Sequence, residues 1–168
     1  MRKILLYSAA MSLFSLFSHA SPLTVGSPAP SVSAPDENDV TVNFGDVYAK
    51  GLTLVYFYPK ADTPGCTKQA CSLRDSFAGL SAGGLTILGV SGDSPSNQKK
   101  FKEKYEIPFT LISDSQGKVS GAFGVPSIVS IPARQSFIIK DGKIAWTTPK
   151  AQTGDHAAEV QAALDALK

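Results

Sequence analysis

The chain has 168 residues, with 16 basic and 14 acidic side chains and a formal net charge of +2 at pH 7. The basic residues Arg2 and Lys3 lie in an N-terminal segment that we expect to be removed, which leaves 14 charges of each sign. A nearly neutral chain argues against binding to nucleic acids through bulk positive charge, and its length suits one domain with one full core.

Residues 1–20 have the pattern of a secretory signal peptide. A basic start is followed by a mostly apolar run over residues 4–17 and by the small residues that usually precede a cut. A membrane anchor is the alternative, but serines interrupt an apolar run that is shorter than the roughly 20 residues of a transmembrane span. We therefore predict cleavage after Ala20, a mature domain over residues 21–168, and export to the periplasm without stable membrane association.

The mature chain begins with a proline-rich segment over residues 21–38, which predicts extended structure without regular elements. Residues 40–44 alternate like a short strand, residues 46–50 fit one helical turn, and the apolar run 52–58 predicts a buried parallel strand. The remaining predicted strands are 85–91, 109–112, 136–139 and 144–146, the last two joined as a hairpin. A helix that begins near Cys66 is predicted to continue through 72–80, with Gly79 marking its approaching end. Further helices are predicted at 94–105 and 156–167, and a short helix or turn at 117–123.

Strands that alternate with helices and end in a hairpin predict an α/β domain, in which helices cover a mixed central sheet. Three features fit ordinary structural roles better than functional ones. Trp146 is expected to pack in the interior, and His156, near a helix start, is expected to lie at the surface. Glu103 and Glu106 interleave with the lysines at the end of the helix 94–105, which is typical of a solvated helix face.

The segment 59–71, PKADTPGCTKQAC, joins the strand 52–58 to a helix. Pro64 and Gly65 lie at the junction, so Cys66 is predicted to lie in the first helical turn. Free backbone N–H groups and the positive end of the helix dipole at that place favour a thiolate.

Cys71 follows Cys66 by five residues, and in a helix their Cα atoms would be roughly 8 to 9 Å apart. A disulfide needs about 4.4 to 6.8 Å, so the pair can be joined only if a helical turn unwinds. This spacing favours a redox switch over a structural disulfide, although a structural bond is the usual role of two cysteines in an exported chain. A zinc site is disfavoured, because His156 is the one histidine that follows the predicted cut.

Pro59, Thr63 and Cys66 match the P-x-x-x-T-x-x-C signature of the peroxiredoxins, and Cys71 completes a C-x4-C spacing. The chain therefore resembles the peroxiredoxin Q or bacterioferritin comigratory protein branch from about Val25 to its terminal helix. The resemblance implies a thioredoxin-like fold in a single domain. One departure is Gln69, where this branch usually has glutamate, so the tuning of charge near the thiol is expected to differ.

The resemblance also implies an antioxidant enzyme that reduces hydrogen peroxide and organic hydroperoxides. Cys66 would be the peroxidatic thiolate and Cys71 the resolving thiol, and a thioredoxin-like dithiol protein would reduce the disulfide between them. Thr63, Arg134 and Pro59 would assist the first step. Arginine suits a site beside a thiolate because its guanidinium stays charged and can bind two oxygens. No cofactor or metal is expected, and members of this branch are often monomers.

Two other functions remain open at this point. A thiol–disulfide oxidoreductase on the same fold would normally have C-x-x-C, so that its two sulfurs could cycle without unwinding. A binding or chaperone domain would leave the cysteines incidental, and the combination of Thr63, Cys66 and Arg134 argues against that. Without the family resemblance, Arg134 would be read as an ordinary loop arginine.

Overall fold

The computed structural model of the protein describes residues 23–168. The predicted signal peptide and its cleavage point after Ala20 lie outside the described residues. Among residues 23–168, no helix is both long enough and apolar enough to cross a membrane.

The described part contains nine strands and six helices. The strands are β1 (Ser33–Pro35), β2 (Thr41–Asn43), β3 (Thr53–Phe57), β4 (Thr86–Ser91), β5 (Thr110–Ser113), β6 (Ser127–Ile128), β7 (Ile131–Pro132), β8 (Gln135–Lys140) and β9 (Lys143–Thr148). The helices are α1 (Phe44–Tyr48), α2 (Pro64–Asp75), α3 (Phe77–Ala82), α4 (Pro95–Lys104), α5 (Lys118–Ala122) and α6 (His156–Ala166).

Five strands form the central sheet in the order β5-β4-β3-β8-β9. Strands β3, β4 and β5 are parallel, and β8 is antiparallel to both β3 and β9. The turn between β8 and β9 has Asp141 and Gly142 at φ angles of 52° and 70°, which is the geometry that a tight hairpin requires. The predicted mixed sheet with a terminal hairpin is confirmed.

Side chains of β3 alternate between two hydrophobic cores, one on each face of the sheet. Leu54 and Tyr56 point into the core that contains Cys66 of α2 and Val160 of α6. Phe57 points into the other core, beneath α1 and α5. Helices therefore cover both faces, and the two cysteine-bearing turns of α2 lie on the same face as α6.

Three local predictions differ from the structure. The proline-rich segment includes a strand, β1, because Ala34 pairs with Val42 of β2 and is buried. Helix α1 begins at Phe44 rather than at residue 46, since Asn43 caps it by accepting a hydrogen bond from Gly45 N at 3.0 Å. The helix predicted to continue through 72–80 is divided at Ser76, where α2 ends, and α3 continues to Ala82.

Candidate active site

Cys66 lies in the first turn of α2, at the end of the chain segment that follows β3. Thr63 is the N-cap residue in extended conformation and Pro64 is the first helical residue, where a missing N–H is harmless. The Cys66 side chain is buried, with 1% of its surface exposed. Its position in the first helical turn is therefore as predicted, and the positive end of the helix dipole faces the sulfur.

Arg134 lies directly before β8 and brings a positive charge to the sulfur. Its Nη2 donates a hydrogen bond to Cys66 Sγ at 3.3 Å, and its Nη1 donates to Oε1 of Gln69. Strand β8 pairs with β3, so the sheet places the residue before β8 beside the helix that follows β3. The guanidinium is half-buried, and in such surroundings its attraction for a thiolate is stronger than in water.

Gln69 is fully buried one turn after Cys66 and connects Arg134 to His156. Its Nε2 is 3.1 Å from Nδ1 of His156, and Nε2 of the same imidazole is 3.0 Å from Oγ of Ser136. Burial, and secondarily the charge of Arg134, lower the pKa of His156 from 6.5 to about 4. At neutral pH the imidazole is therefore uncharged.

The prediction that His156 lies at the surface is wrong, because none of its surface is exposed. Helix α6 begins against α2, and this contact buries the first side chain of α6. The sequence contains no local signal for it, because the partners of His156 lie 87 and 20 residues away along the chain. The sequence contains a weak indication that Gln69 belongs to the site, because Gln69 follows Cys66 by one helical turn on the same side of the helix.

The loop before α2 is held by several hydrogen bonds. Ala61 N donates to Asp93 Oδ2 at 2.8 Å, while Asp62, at a φ angle of 58°, accepts from Lys104 and from Tyr105. Thr63 Oγ1 donates to the carbonyl of Lys60 at 2.9 Å. The Thr63 hydroxyl thus uses its proton within the loop, not on the thiolate, and its lone pairs remain able to accept a hydrogen bond.

Pro59 and Cys71 complete the set of predicted site residues. Pro59 follows the buried Tyr58 and is partly exposed at the beginning of the loop. Cys71 is partly exposed and, like Cys66, has a free thiol. Both cysteines belong to one continuous helix, so their Cα atoms are separated by roughly 8 to 9 Å in ideal geometry. A bond between them requires α2 to open locally.

No group of three or more His, Cys, Asp or Glu side chains within residues 23–168 is arranged to bind a metal ion. The arrangement at Cys66 instead combines a buried sulfur, a helix start and a guanidinium. Together these groups place positive charge and hydrogen-bond donors around the sulfur, where they can bind the oxygens of a small polar molecule.

The AhpC/TSA family profile matches residues 25–147 of the chain. A chloroplastic peroxiredoxin Q from Gentiana triflora is 38% identical over 141 residues, which are 82% of this chain and 62% of that protein. A putative peroxiredoxin bcp from Coxiella burnetii is 38% identical over 146 residues, which are 82% of this chain and 96% of that protein. The chain thus spans about three-fifths of the length of the chloroplast relatives that it matches.

Solved structures of the same kind have the same fold. Peroxidoxin BcpB from Mycobacterium tuberculosis superimposes with a TM-score of 0.81 at 29% identity, over 87% of this chain and 99% of that one. A peroxiredoxin Q from Xanthomonas campestris gives a TM-score of 0.78 at 26% identity, over 86% of this chain and 99% of that one. The central mixed sheet flanked by helices is the thioredoxin-like arrangement of these structures.

Proposed function

Since this chain belongs to the AhpC/TSA family, with its peroxiredoxin Q and bcp relatives, we propose that it is a thiol-dependent peroxidase for hydrogen peroxide and organic hydroperoxides. The observation that carries the proposal is the contact of Arg134 Nη2 with the buried Cys66 sulfur, 3.3 Å away. A guanidinium held on a sulfur at a helix start brings positive charge to the attacking atom and leaves donors for the oxygens of a peroxide.

In the first step the Cys66 thiolate attacks one oxygen of the peroxide. The sulfur–oxygen bond forms as the O–O bond breaks, the sulfur loses two electrons, and the other oxygen leaves as hydroxide or alkoxide and takes up a proton. Arg134 and the N–H groups at the start of α2 stabilise the charge on that oxygen. The Thr63 hydroxyl accepts the proton of the bound peroxide in a hydrogen bond, and Pro59 shields the sulfur from water.

In the second step Cys71 attacks the sulfenic acid of Cys66. The S–S bond forms, the sulfenic hydroxyl leaves as water with the proton of the Cys71 thiol, and the oxidation stops at a disulfide. Because both residues lie in α2, the turns that include Gln69 must unwind first. A thioredoxin-like dithiol protein then reduces the disulfide by thiol exchange and becomes oxidised itself.

The intact mass of the reduced protein after one equivalent of hydrogen peroxide tests this sequence of steps. Wild type should lose about two mass units, and Cys71→Ser should retain an oxidised or blocked Cys66. Cys66→Ser should show no rapid change. If Cys66→Ser reacts as fast as wild type, the assignment of Cys66 as the attacking thiol is wrong and disulfide exchange becomes the better account.

We also propose that the protein is exported to the periplasm as a monomer after cleavage behind Ala20. The basic start, apolar run and small residues of 1–20 support this proposal. The mass of the protein recovered from a periplasmic fraction, together with its sedimentation, tests it. Recovery of a chain that still begins at Met1 would contradict the proposed cleavage, and a stable dimer would contradict the proposed monomer.

A further inference from the structure

His156 is a buried polar side chain that the peroxide chemistry proposed above does not use. It is the first residue of α6, it is fully buried, and both of its ring nitrogens lie within hydrogen-bond distance of a partner. The edge of the ring packs against Tyr56, with 5.7 Å between ring centroids. A buried imidazole with two ordered partners holds those partners in place as much as they hold it.

The direction of each hydrogen bond follows from Arg134. A guanidinium has donors only, so Gln69 turns Oε1 to Arg134 and its NH2 group to His156. An amide nitrogen can only donate, and Nδ1 of His156 therefore accepts and carries no proton. The ring proton is on Nε2 and is donated to Ser136 Oγ, 3.0 Å away. The imidazole is thus neutral, with one defined tautomer.

We propose that His156 is a positioning residue: through Gln69 it holds Arg134 against Cys66 in the reduced protein and releases Arg134 when α2 opens. This inference rests on the proposed peroxidase function. Without the Nδ1 acceptor, the buried NH2 group of Gln69 would have no partner, and the side chain would shift to find one, which weakens its hydrogen bond to Arg134. At this side of the site, the guanidinium of Arg134 would then keep only its hydrogen bond to the Cys66 sulfur.

The same contact opposes the second step of the reaction. Gln69 lies between Cys66 and Cys71, so the unwinding that joins the two sulfurs must pull Gln69 away from His156. A second bond, from Ala157 N to Ser72 Oγ at 3.1 Å, ties the start of α6 to the other side of Cys71. The contact of His156 with Gln69 therefore favours peroxide attack and slows disulfide formation.

Two substitutions separate the hydrogen bond from the packing of the ring. His156→Phe keeps a flat ring against Tyr56 and has no acceptor, whereas the side-chain oxygen of His156→Asn can replace Nδ1 as acceptor for Gln69. Val160→Ala is the matched control, because Val160 is buried in α6 among apolar neighbours. It loosens the packing of α6 against the sheet and leaves the contact with Gln69 in place.

His156→Phe should react with hydrogen peroxide about tenfold more slowly than wild type, measured by stopped flow in a Cys71→Ser background. With Cys71 present, its sulfenic acid should convert to the disulfide faster than in wild type, measured by quenched mass spectrometry. His156→Asn should restore both rates toward wild type, and Val160→Ala should change neither. Equal rates for His156→Phe and wild type, or equal losses for His156→Phe and Val160→Ala, would overturn the proposal.

The nitrogen resonances of His156 provide a readout that a loss of stability does not produce. The full chain contains two histidines, so a His19→Gln variant assigns the signals. We expect the neutral form with its proton on Nε2 in the reduced protein at pH 7, and a changed Nδ1 signal in the disulfide form. A proton on Nδ1, or identical signals in both redox states, would refute the positioning role. Failure of wild type to react with peroxide would instead refute the proposed function.

Discussion

Arg134 binds the Cys66 sulfur and Gln69 with two different nitrogens of one planar group. A lysine ammonium donates from a single point and lacks the rigid planar fork that spans the two partners, so Arg134→Lys should slow peroxide attack by about 10- to 100-fold. Stopped-flow oxidation of the reduced protein measures this rate. Arg74→Lys is the matched control, because Arg74 bonds Asp75 and the carbonyl of Tyr105. An equally large loss in Arg74→Lys would assign the effect to general loosening of α2.

The neutral state of His156 links its titration to stability. Its pKa is about 4 in the folded protein and 6.5 in the unfolded chain, so between these values the unfolded chain binds more protons. The free energy of unfolding should therefore fall with decreasing pH, by about 3 kcal/mol between pH 7.5 and pH 4 from this one group. The groups facing the imidazole are Arg134, which also disfavours its protonation, and the buried phenol of Tyr56.

Urea denaturation of wild type and His156→Phe at several pH values tests this linkage. The carboxylates titrate in both proteins, so the difference between the two pH profiles isolates His156. Stability should fall more steeply in wild type than in the variant as the pH drops below 6.5. Parallel profiles would show that the imidazole titrates normally in the folded protein.

The residues of the site differ in how far sequence alone reveals them. Cys66 and Thr63 lie within a short signature, and Arg134 precedes a strand, so the family pattern selects all three. His156 has no such pattern, because its contact with Gln69 exists only when α6 packs across α2. Burial at a helix start depends on tertiary packing, and a local pattern does not contain it.

At the scale of elements, the proposed cycle requires α2 to be a stable helix in the reduced state and an open segment in the disulfide state. Lys68 lies between the two cysteines and is exposed, so it tests this requirement without disturbing a contact. Glycine is about 1 kcal/mol less favourable than alanine within a helix, and Lys68→Gly should therefore form the disulfide about fivefold faster than Lys68→Ala. Quenched mass spectrometry of the oxidised protein provides the rates.

The control for this comparison is the same pair of substitutions, glycine and alanine, at Lys99, which is exposed in α4. Alanine and glycine at Lys99 should give equal rates of disulfide formation, because α4 stays folded during the reaction. A glycine effect at Lys99 as large as that at Lys68 would mean that overall stability, and not the opening of α2, limits the second step.

The main strands and helices were predictable because strong periodicity marks elements that cover a core, as in β3, β4 and α4. The predictions that differ from the structure concern segments in which tertiary pairing overrides the local sequence pattern. Strand β1 is hidden in a proline-rich segment because its partner is β2, and Pro35 can stand at its end without breaking a central ladder. The break between α2 and α3 lies at Ser76, which is neither glycine nor proline and so is not marked in the sequence.

At the scale of the whole molecule, the proposed reaction affects only one of the two cores. Cys66, Ala70 and Val160 belong to the core that α2 and α6 share, whereas Phe57 and Phe123 belong to the core on the opposite face. Opening α2 therefore weakens one face of the sheet, and the other face keeps the strands in register. The oxidised protein should retain its fold at reduced stability.

The lower stability of the disulfide form follows from two opposing contributions to its free energy of unfolding. A disulfide that closes a loop of about six residues stabilises a folded chain by about 2 kcal/mol through the entropy of the unfolded state. Opening α2 removes several helical hydrogen bonds and the buried bonds of Gln69, at about 1 kcal/mol each, which together exceed that gain. The reduced protein should consequently unfold at a higher urea concentration than the disulfide form.

Urea denaturation of the dithiol-reduced protein and of the peroxide-oxidised protein, both at pH 7, measures this difference directly. Folding stability and the reduction potential of the Cys66–Cys71 disulfide are thermodynamically linked. For each 1.4 kcal/mol by which the dithiol form is more stable against unfolding than the disulfide form, the reduction potential of the disulfide rises by about 30 mV. A strained disulfide of this kind is readily reduced by an external dithiol, as the proposed catalytic cycle requires. If the oxidised protein proves the more stable, the Cys66–Cys71 bond acts as a structural disulfide, and its reduction by a thioredoxin-like donor becomes thermodynamically less favourable.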